Sequence, residues 1–196
     1  MTDLVAAVLA SCDERPDAAA LTFGRRTLMY GELGRRIRAT AASLVREGMR
    51  PGDRVLFSVR PGPDAVLLAL GIVEAGGTVV FADPGAGEAL FRARAALAAP
   101  RWVAAESLLY LASSGPFRGL ARRRGLELAP YARLVPEARH LRAGRWLPGV
   151  PRHALPLSGL SRSLRGRIET EPSDARECTT ALGVSVVPLV KMTKAS

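Results

Sequence analysis

The chain has 196 residues, 48% hydrophobic and 23% charged, which is globular composition and excludes a wholly disordered protein. Its net charge of +10 resides in one stretch: residues 118–168 hold twelve Arg against only Glu127 and Glu137, while 1–117 and 169–196 are each close to neutral, so the protein is not basic throughout. Lysine is confined to Lys191 and Lys194, so chemistry that needs a lysine before residue 191 has none to use.

Cys12 and Cys178 are isolated, and the histidines are His140 and His153. No disulfide framework or CxxC pair exists, a structural zinc site is not expected, and the pattern fits a reducing, cytoplasmic location. The box Leu9-Ala10-Ser11-Cys12 follows the short apolar run Leu4 to Val8, but Thr2 and Asp3 precede it and the first basic residue is Arg15. A secretory signal needs a positive leading region, so this segment reads as a short amphipathic helix. The best apolar window, 64–82, is interrupted by Glu74 and Gly76-Gly77. It falls short of the roughly 20 residues of a membrane span.

Strands are expected at Ala18 to Phe23 and Thr27 to Tyr30, joined by a three-residue loop, Gly24-Arg25-Arg26. Glu32 to Glu47 has helical spacing of Leu33, Ile37, Ala41, Leu44 and Val45, with Gly48 as its stop. Pro51-Gly52-Asp53 turns into a buried strand, Arg54 to Val59. Pro61-Gly62-Pro63 breaks that strand, and a helix from Ala65 to Ala75 follows that is apolar nearly all round, the mark of a sandwiched element. Thr78 to Ala82 is the next strand, which makes a βαβ unit with parallel strands. A helix at Glu88 to Ala98, a strand at Arg101 to Ala105 and a helical start at Ser107 to Leu111 continue the alternation. The fold class is therefore α/β: a partial doubly wound layer with βαβ units and an N-terminal β-hairpin.

Past residue 117 the signals thin out. Arg118 to Arg124 fits a helix, Leu126 to Leu128 a strand, and Ala181 to Val190 a strand-like pattern. Residues 133–167 show no sustained period of 2 or 3.6. The expected division is an α/β subdomain over 1–117 and an irregular, basic then mixed, region over 118–196.

Several segments in order resemble a known family: Leu28-Met29-Tyr30-Gly31-Glu32-Leu33, Ala41-Ala42-Ser43-Leu44, Gly48-Met49-Arg50-Pro51-Gly52-Asp53-Arg54-Val55, Asp64-Ala65-Val66 and Glu74-Ala75-Gly76-Gly77. Over about residues 15–115 the chain is similar to the N-terminal subdomain of the adenylate-forming (AMP-binding) superfamily, which holds acyl-CoA synthetases, fatty acyl-AMP ligases and nonribosomal adenylation domains. Arg60-Pro61-Gly62-Pro63-Asp64 and Asp83-Pro84-Gly85-Ala86-Gly87 resemble its long-chain branch, including the β-lactone synthetases of olefin biosynthesis. Each motif taken singly is also ordinary scaffold: an aromatic entry to a helix, or a Pro-Gly-Asp turn into a strand.

The resemblance implies ATP-dependent activation of a fatty or other carboxylic acid as an acyl-adenylate. It also implies ATP and Mg2+ as cofactors of a full-length member. Such chemistry needs a Gly/Ser/Thr-rich phosphate loop with a lysine. The family's loop, approximately Ser-Gly-Ser-Thr-Gly-x-Pro-Lys-Gly, has no counterpart here. Ser113-Ser114-Gly115-Pro116 is short and reads as a helix stop, and Ser158-Gly159-Leu160-Ser161 followed by Gly166-Arg167 lacks the Thr-Gly step and the lysine. No residue of this chain is therefore assigned a catalytic, cofactor-binding or metal-binding role. The expectation is an N-terminal fragment of an acyl-AMP-forming ligase, inactive alone and prone to self-association through apolar surface. The alternative is a small α/β binding module whose basic arm holds nucleic acid or another polyanion. The Arg-rich stretch itself has three readings: a phosphate-binding patch, a solvated face, or out-of-frame translation of GC-rich DNA.

Overall fold

A computed structural model describes residues 4–125, 128–135 and 137–160. Helix α1 (Leu4–Glu14) buries Val5, Leu9 and Cys12, one face at i, i+4, i+7 spacing. Strands β1 (Ala19–Phe23) and β2 (Arg26–Met29) form an antiparallel hairpin in which Phe23 faces Arg26. Its turn is thus two residues, Gly24-Arg25, not three. Gly24 takes φ +61°, which costs little without a Cβ. Helix α2 (Tyr30–Arg46) starts directly from β2 and buries Leu33, Ile37, Ala41 and Leu44; Val45, expected on that face, is exposed.

Strand β3 (Arg54–Ser58), helix α3 (Pro63–Glu74) and strand β4 (Thr78–Phe81) form the expected βαβ unit. The two strands run parallel, from Arg54 opposite Thr78 to Phe57 opposite Phe81. A 3₁₀ turn at Pro84–Ala86 leads to α4 (Glu88–Ala98), β5 (Trp102–Glu106), α5 (Ser107–Ala112), α6 (Gly115–Arg123) and α7 (Tyr131–Leu134). Strands β6 (Arg139–Ala143) and β7 (Leu155–Pro156) and the short helix α8 (Leu157–Leu160) complete the described chain. The five-stranded sheet has the order β4-β3-β5-β6-β7, and every pairing in it is parallel.

Alternate residues of the strands feed two cores. Val55, Phe57, Trp102, Ala104 and Leu141 meet Leu44 of α2, Leu68 and Ile72 of α3 and Leu160 of α8. Leu56, Val103 and Ala105 meet Phe91 of α4, Tyr110 of α5 and Tyr131 of α7. Helices therefore cover both faces, the arrangement parallel sheets require. Outside α2, the α1 helix and the hairpin add a further cluster with Leu33, Ile37 and Leu67.

The sheet continues well past residue 117. Strand β6 pairs with β5 along its whole length, Trp102 opposite Arg139 through Glu106 opposite Ala143. Strands thus lie inside 133–167, where the sequence shows no sustained period. The physical reason is that β6 reads Arg-His-Leu-Arg-Ala. Its polar residues are accommodated by particular partners and give no period of their own. Arg139 lies over the Trp102 ring at 5.6 Å and donates to the Glu47 carbonyl. The expected helix at 118–124 is present as α6, though it begins at Gly115. The strand expected at 126–128 and the pattern at 181–190 lie wholly or mainly outside the described residues.

The α2–α3 crossing depends on Gly71. A Cβ there would stand 2.6 Å from Thr40 Cγ2 and 2.8 Å from Thr40 Cβ. In an open helix, Gly to Ala stabilises by about 1 kcal/mol. Here the overpacking reverses the sign, and Gly71→Ala is expected to destabilise the chain by about 1–3 kcal/mol, read as a lower urea midpoint; an unchanged or higher midpoint refutes the close crossing.

Candidate functional site at the carboxyl end of the sheet

The chain passes from β3 outward to β4 through α3 on one face. It then returns through α4 on the other face to β5, on the far side of β3. The connections leaving β3 and β5 thus diverge beyond their carboxyl ends, which marks the switch-point crevice where open α/β sheets bind ligands. Ser58 ends β3 and Arg60 lies just beyond it, Asp83 follows β4, and Glu106 ends β5 with Ser107 next in the chain.

These side chains are largely tied to nearby main-chain groups. Ser58 Oγ donates to the Ala82 carbonyl at 2.7 Å, and Ser107 Oγ to the Ala143 carbonyl at 2.9 Å. The Arg60 backbone N–H donates to Glu106 Oε1 at 3.2 Å, and the Arg60 Nε lies 3.8 Å from the same oxygen. Asp83 Oδ1 accepts from the Gly85 N–H at 2.8 Å, which closes the Asp83-Pro84-Gly85 turn.

Behind the crevice lies an aromatic group. Tyr131 packs its ring against Phe91 at 4.9 Å and Tyr110 at 5.9 Å between centroids. Its hydroxyl is buried with no hydrogen-bond partner among the described residues; Ser58 Oγ, a polar neighbour, donates to the Ala82 carbonyl. Burial pushes the Tyr131 phenol well up; Ser58 works against the shift and Asp83 adds to it. Tyr110 is likewise pushed up, by burial first and then by Tyr131. The Tyr110 hydroxyl lies 3.0 Å from His140 Nδ1. His140 is held down to about 4 by burial and then by the neighbouring His153, whose ring centroid is 5.9 Å away. At neutral pH both phenols and His140 are therefore uncharged.

This donor set does not fit the triphosphate of ATP. The two serine hydroxyls spend their protons on main-chain carbonyls, the Arg60 guanidinium leans on Glu106, and the crevice residues include no lysine. Among the described residues, no three His, Cys, Asp or Glu side chains group as metal ligands. Reasoning from sequence did not single out Ser58, Glu106, Ser107 or Tyr131. Their convergence follows from strand order, which no local signal encodes.

Comparison with known proteins agrees with this architecture. The AMP-binding enzyme family matches residues 8–139. The chain belongs to that family. Within it, residues of this AMP-binding family member are 40% identical over 73 positions to tyrocidine synthase 3 of Brevibacillus parabrevis and 36% identical over 72 to malpinin synthetase of Mortierella alpina. Each match covers 37% of this chain and 1% of the relative, so the chain spans a very small part of those synthetases. The N-terminal subdomain of Klebsiella oxytoca NpsA superposes with a TM-score of 0.55 at 18% identity, over 87% of this chain and 35% of that one. The anthranilate CoA ligase AuaEII, in complex with anthranoyl-AMP, gives 0.59 at 17% identity, over 83% and 28%. These structural likenesses speak for the fold. No helix among the described residues is long and apolar enough to cross a membrane.

The buried imidazole makes stability depend on pH with a definite sign. The His140 value in the folded chain is about 4, below the ordinary value near 6.5. Between those limits the unfolded chain binds the extra proton, so stability is whole above pH 6.5 and falls as pH drops towards 4. The loss attributable to His140 is about 3 kcal/mol. Urea unfolding across this range should show a steeper pH dependence for the native sequence than for His140→Gln; equal slopes refute the assignment.

Proposed function

We propose that this chain is the N-terminal scaffold of an enzyme that activates a carboxylic acid with ATP, yielding an acyl-adenylate and pyrophosphate, and that the chain alone does not catalyse the reaction. The observation that carries the reading is the family match over 8–139 on a sheet whose carboxyl-end side chains are mostly bonded to main-chain groups. The scaffold supplies one wall of the domain. ATP and Mg2+ are then held by residues other than those of this crevice. A cytoplasmic setting accords with the isolated cysteines.

A fatty acid is one candidate substrate, from the resemblance of Arg60–Asp64 and Asp83–Gly87 to the long-chain branch. Amino and aryl acids are the others, from the synthetases and ligases matched. Without aligned phosphate contacts, positioning and electrostatic stabilisation are both lost, each a matter of several kcal/mol, and the rate falls by many powers of ten. The purified 196-residue chain is expected to show no carboxylate-dependent exchange of labelled pyrophosphate into ATP with fatty, aryl or amino acids. A version extended to include the family's phosphate loop and catalytic lysine should restore exchange, and its acid preference identifies the substrate class. Robust exchange by the chain alone overturns the proposal.

The polyanion-binding alternative has less support. Arg118 pairs with Glu88 at 2.6 Å, Arg139 covers Trp102, and Arg142 donates to the Gly144 carbonyl, so part of the basic stretch serves the fold. Duplex DNA is expected to bind weakly and to be released at modest salt. Tight, sequence-selective binding near physiological salt would favour the binding-module reading.

A further inference from the structure

The connection between β6 and β7, residues 144–154, folds back over α5. Gly149 makes the closest approach. It takes φ +92°, and a Cβ on it would stand 2.7 Å from both the Tyr110 carbonyl oxygen and Ser114 Cβ. Val150 and Ala154 are buried in one cluster with Tyr110 and Tyr131, and Leu147 packs against that cluster. The Val150 N–H donates to the Leu147 carbonyl at 3.1 Å and the Ala154 N–H to the Pro151 carbonyl at 2.9 Å. Both bonds close turns inside the connection, and neither ties it to a strand or to α5. The segment thus lies on the sheet through packing, without the ladder that fixes β6 to β5.

Near its end the connection sets one imidazole against another. The rings of His153 and His140 meet edge to face with centroids 5.9 Å apart. His153 is exposed, whereas His140 is 2% exposed, and its Nδ1 lies 3.0 Å from the Tyr110 hydroxyl. The groups that surround the pair are Val103, opposite His140 on β5, Tyr110 of α5 with Tyr131 of α7 behind it, Arg142 on the same face of β6, and Arg152, next to His153 in the chain. None of these is an acid. A proton on His140 is therefore a cation in an apolar, partly basic setting, which is costly. A second proton on His153 adds repulsion between the rings. With the connection lifted, both imidazoles meet water and both costs vanish.

We propose that the β6–β7 connection is an acid-released strap: protonation of the His140–His153 pair lifts residues 144–154 off α5 while strands β3 to β6 stay paired. The strap is the element that yields because lifting it breaks a few side-chain contacts, whereas exposing His140 from the other side would break the β5–β6 ladder, which runs over five residue pairs. Segments held by few buried contacts open well before the whole chain unfolds. The proposal locates the pH dependence derived above for His140 in one segment, and it stands or falls apart from the reading of the chain as a ligase scaffold.

Native-state hydrogen exchange of the full chain, followed amide by amide in rising but sub-denaturing urea near pH 7 and near pH 5, tests it. After correction for intrinsic exchange, the Val150 and Ala154 amides should open about 20-fold more often near pH 5 than near pH 7, the factor set by a His140 value of about 4 in the folded chain and about 6.5 in water. Their opening should be nearly independent of urea, because little surface is exposed. The Arg139 amide, bonded to the Arg101 carbonyl on β5, should instead open in a strongly urea-dependent step. His140→Gln should abolish the pH effect at both strap amides. Gly149→Ala, which wedges the strap at its contact with Tyr110, should raise the opening of both near pH 7 at least about tenfold. Opening of Val150 and Ala154 that is indifferent to pH, or that follows the urea dependence of Arg139, would overturn the proposal on the unaltered chain alone. So would a pH effect that survives His140→Gln in a chain with native circular dichroism, or a response to Gly149→Ala at Val150 without one at Ala154.

Discussion

One carboxylate holds the amino end of the sheet together. Asp53, buried in the turn before β3, accepts from the Arg50 N–H at 3.0 Å and from Trp102 Nε1 at 3.2 Å through one oxygen, and from Arg101 at 2.9 Å through the other. Its own carbonyl takes the Thr78 N–H. Three strands and a turn thus meet at one residue. Burial opposes its charge, yet hydrogen bonds from Arg50, Trp102 and Arg101 hold its carboxyl below the usual range. Removing it would leave the Trp102 indole N–H buried without an acceptor, a costly state. The ring it orients is the one that Arg139 covers, so the placement of β6 rests on the same carboxylate.

With that end clamped, the connections decide the opposite end. Strands β3 and β5 stay adjacent while the chain leaves them on opposite faces, and the crevice follows from this divergence. The groups at its rim hold strand ends in register: Ser58 ties β3 to the end of β4, and Ser107 ties β5 to the end of β6. This division of labour suits a scaffold, in which polar groups are used up in positioning the backbone. The Tyr131 hydroxyl is the exception among the aromatic group, buried with no hydrogen-bond partner among the described residues.

The basic stretch shows how composition and structure part company. Its excess of arginine suggested a separate region, yet Arg118, Arg139 and Arg142 bridge helix to helix, cover an indole and close a turn. A guanidinium suits these tasks because its planar fork can stack and donate at once. The charge that looked like an arm is in part the cement of β6 and α6.

The alternation of strand and helix up to residue 112, the parallel pairing of β3 with β4 and the amphipathic α1 were all legible in the sequence. Each rests on local periodicity, and a short βαβ connection leaves little choice of partner or hand. The family was legible for the same reason, since its turn motifs are local. Strand β6 was not. His140 reads as a polar interruption until Tyr110, thirty residues away, supplies a partner for its ring nitrogen, and Arg139 reads as surface until Trp102 lies beneath it. Nor could the sequence bring Ser58, Glu106 and Tyr131 to one end of the sheet. Those outcomes depend on strand order, a property of long-range packing, and only the assembled tertiary structure decided them.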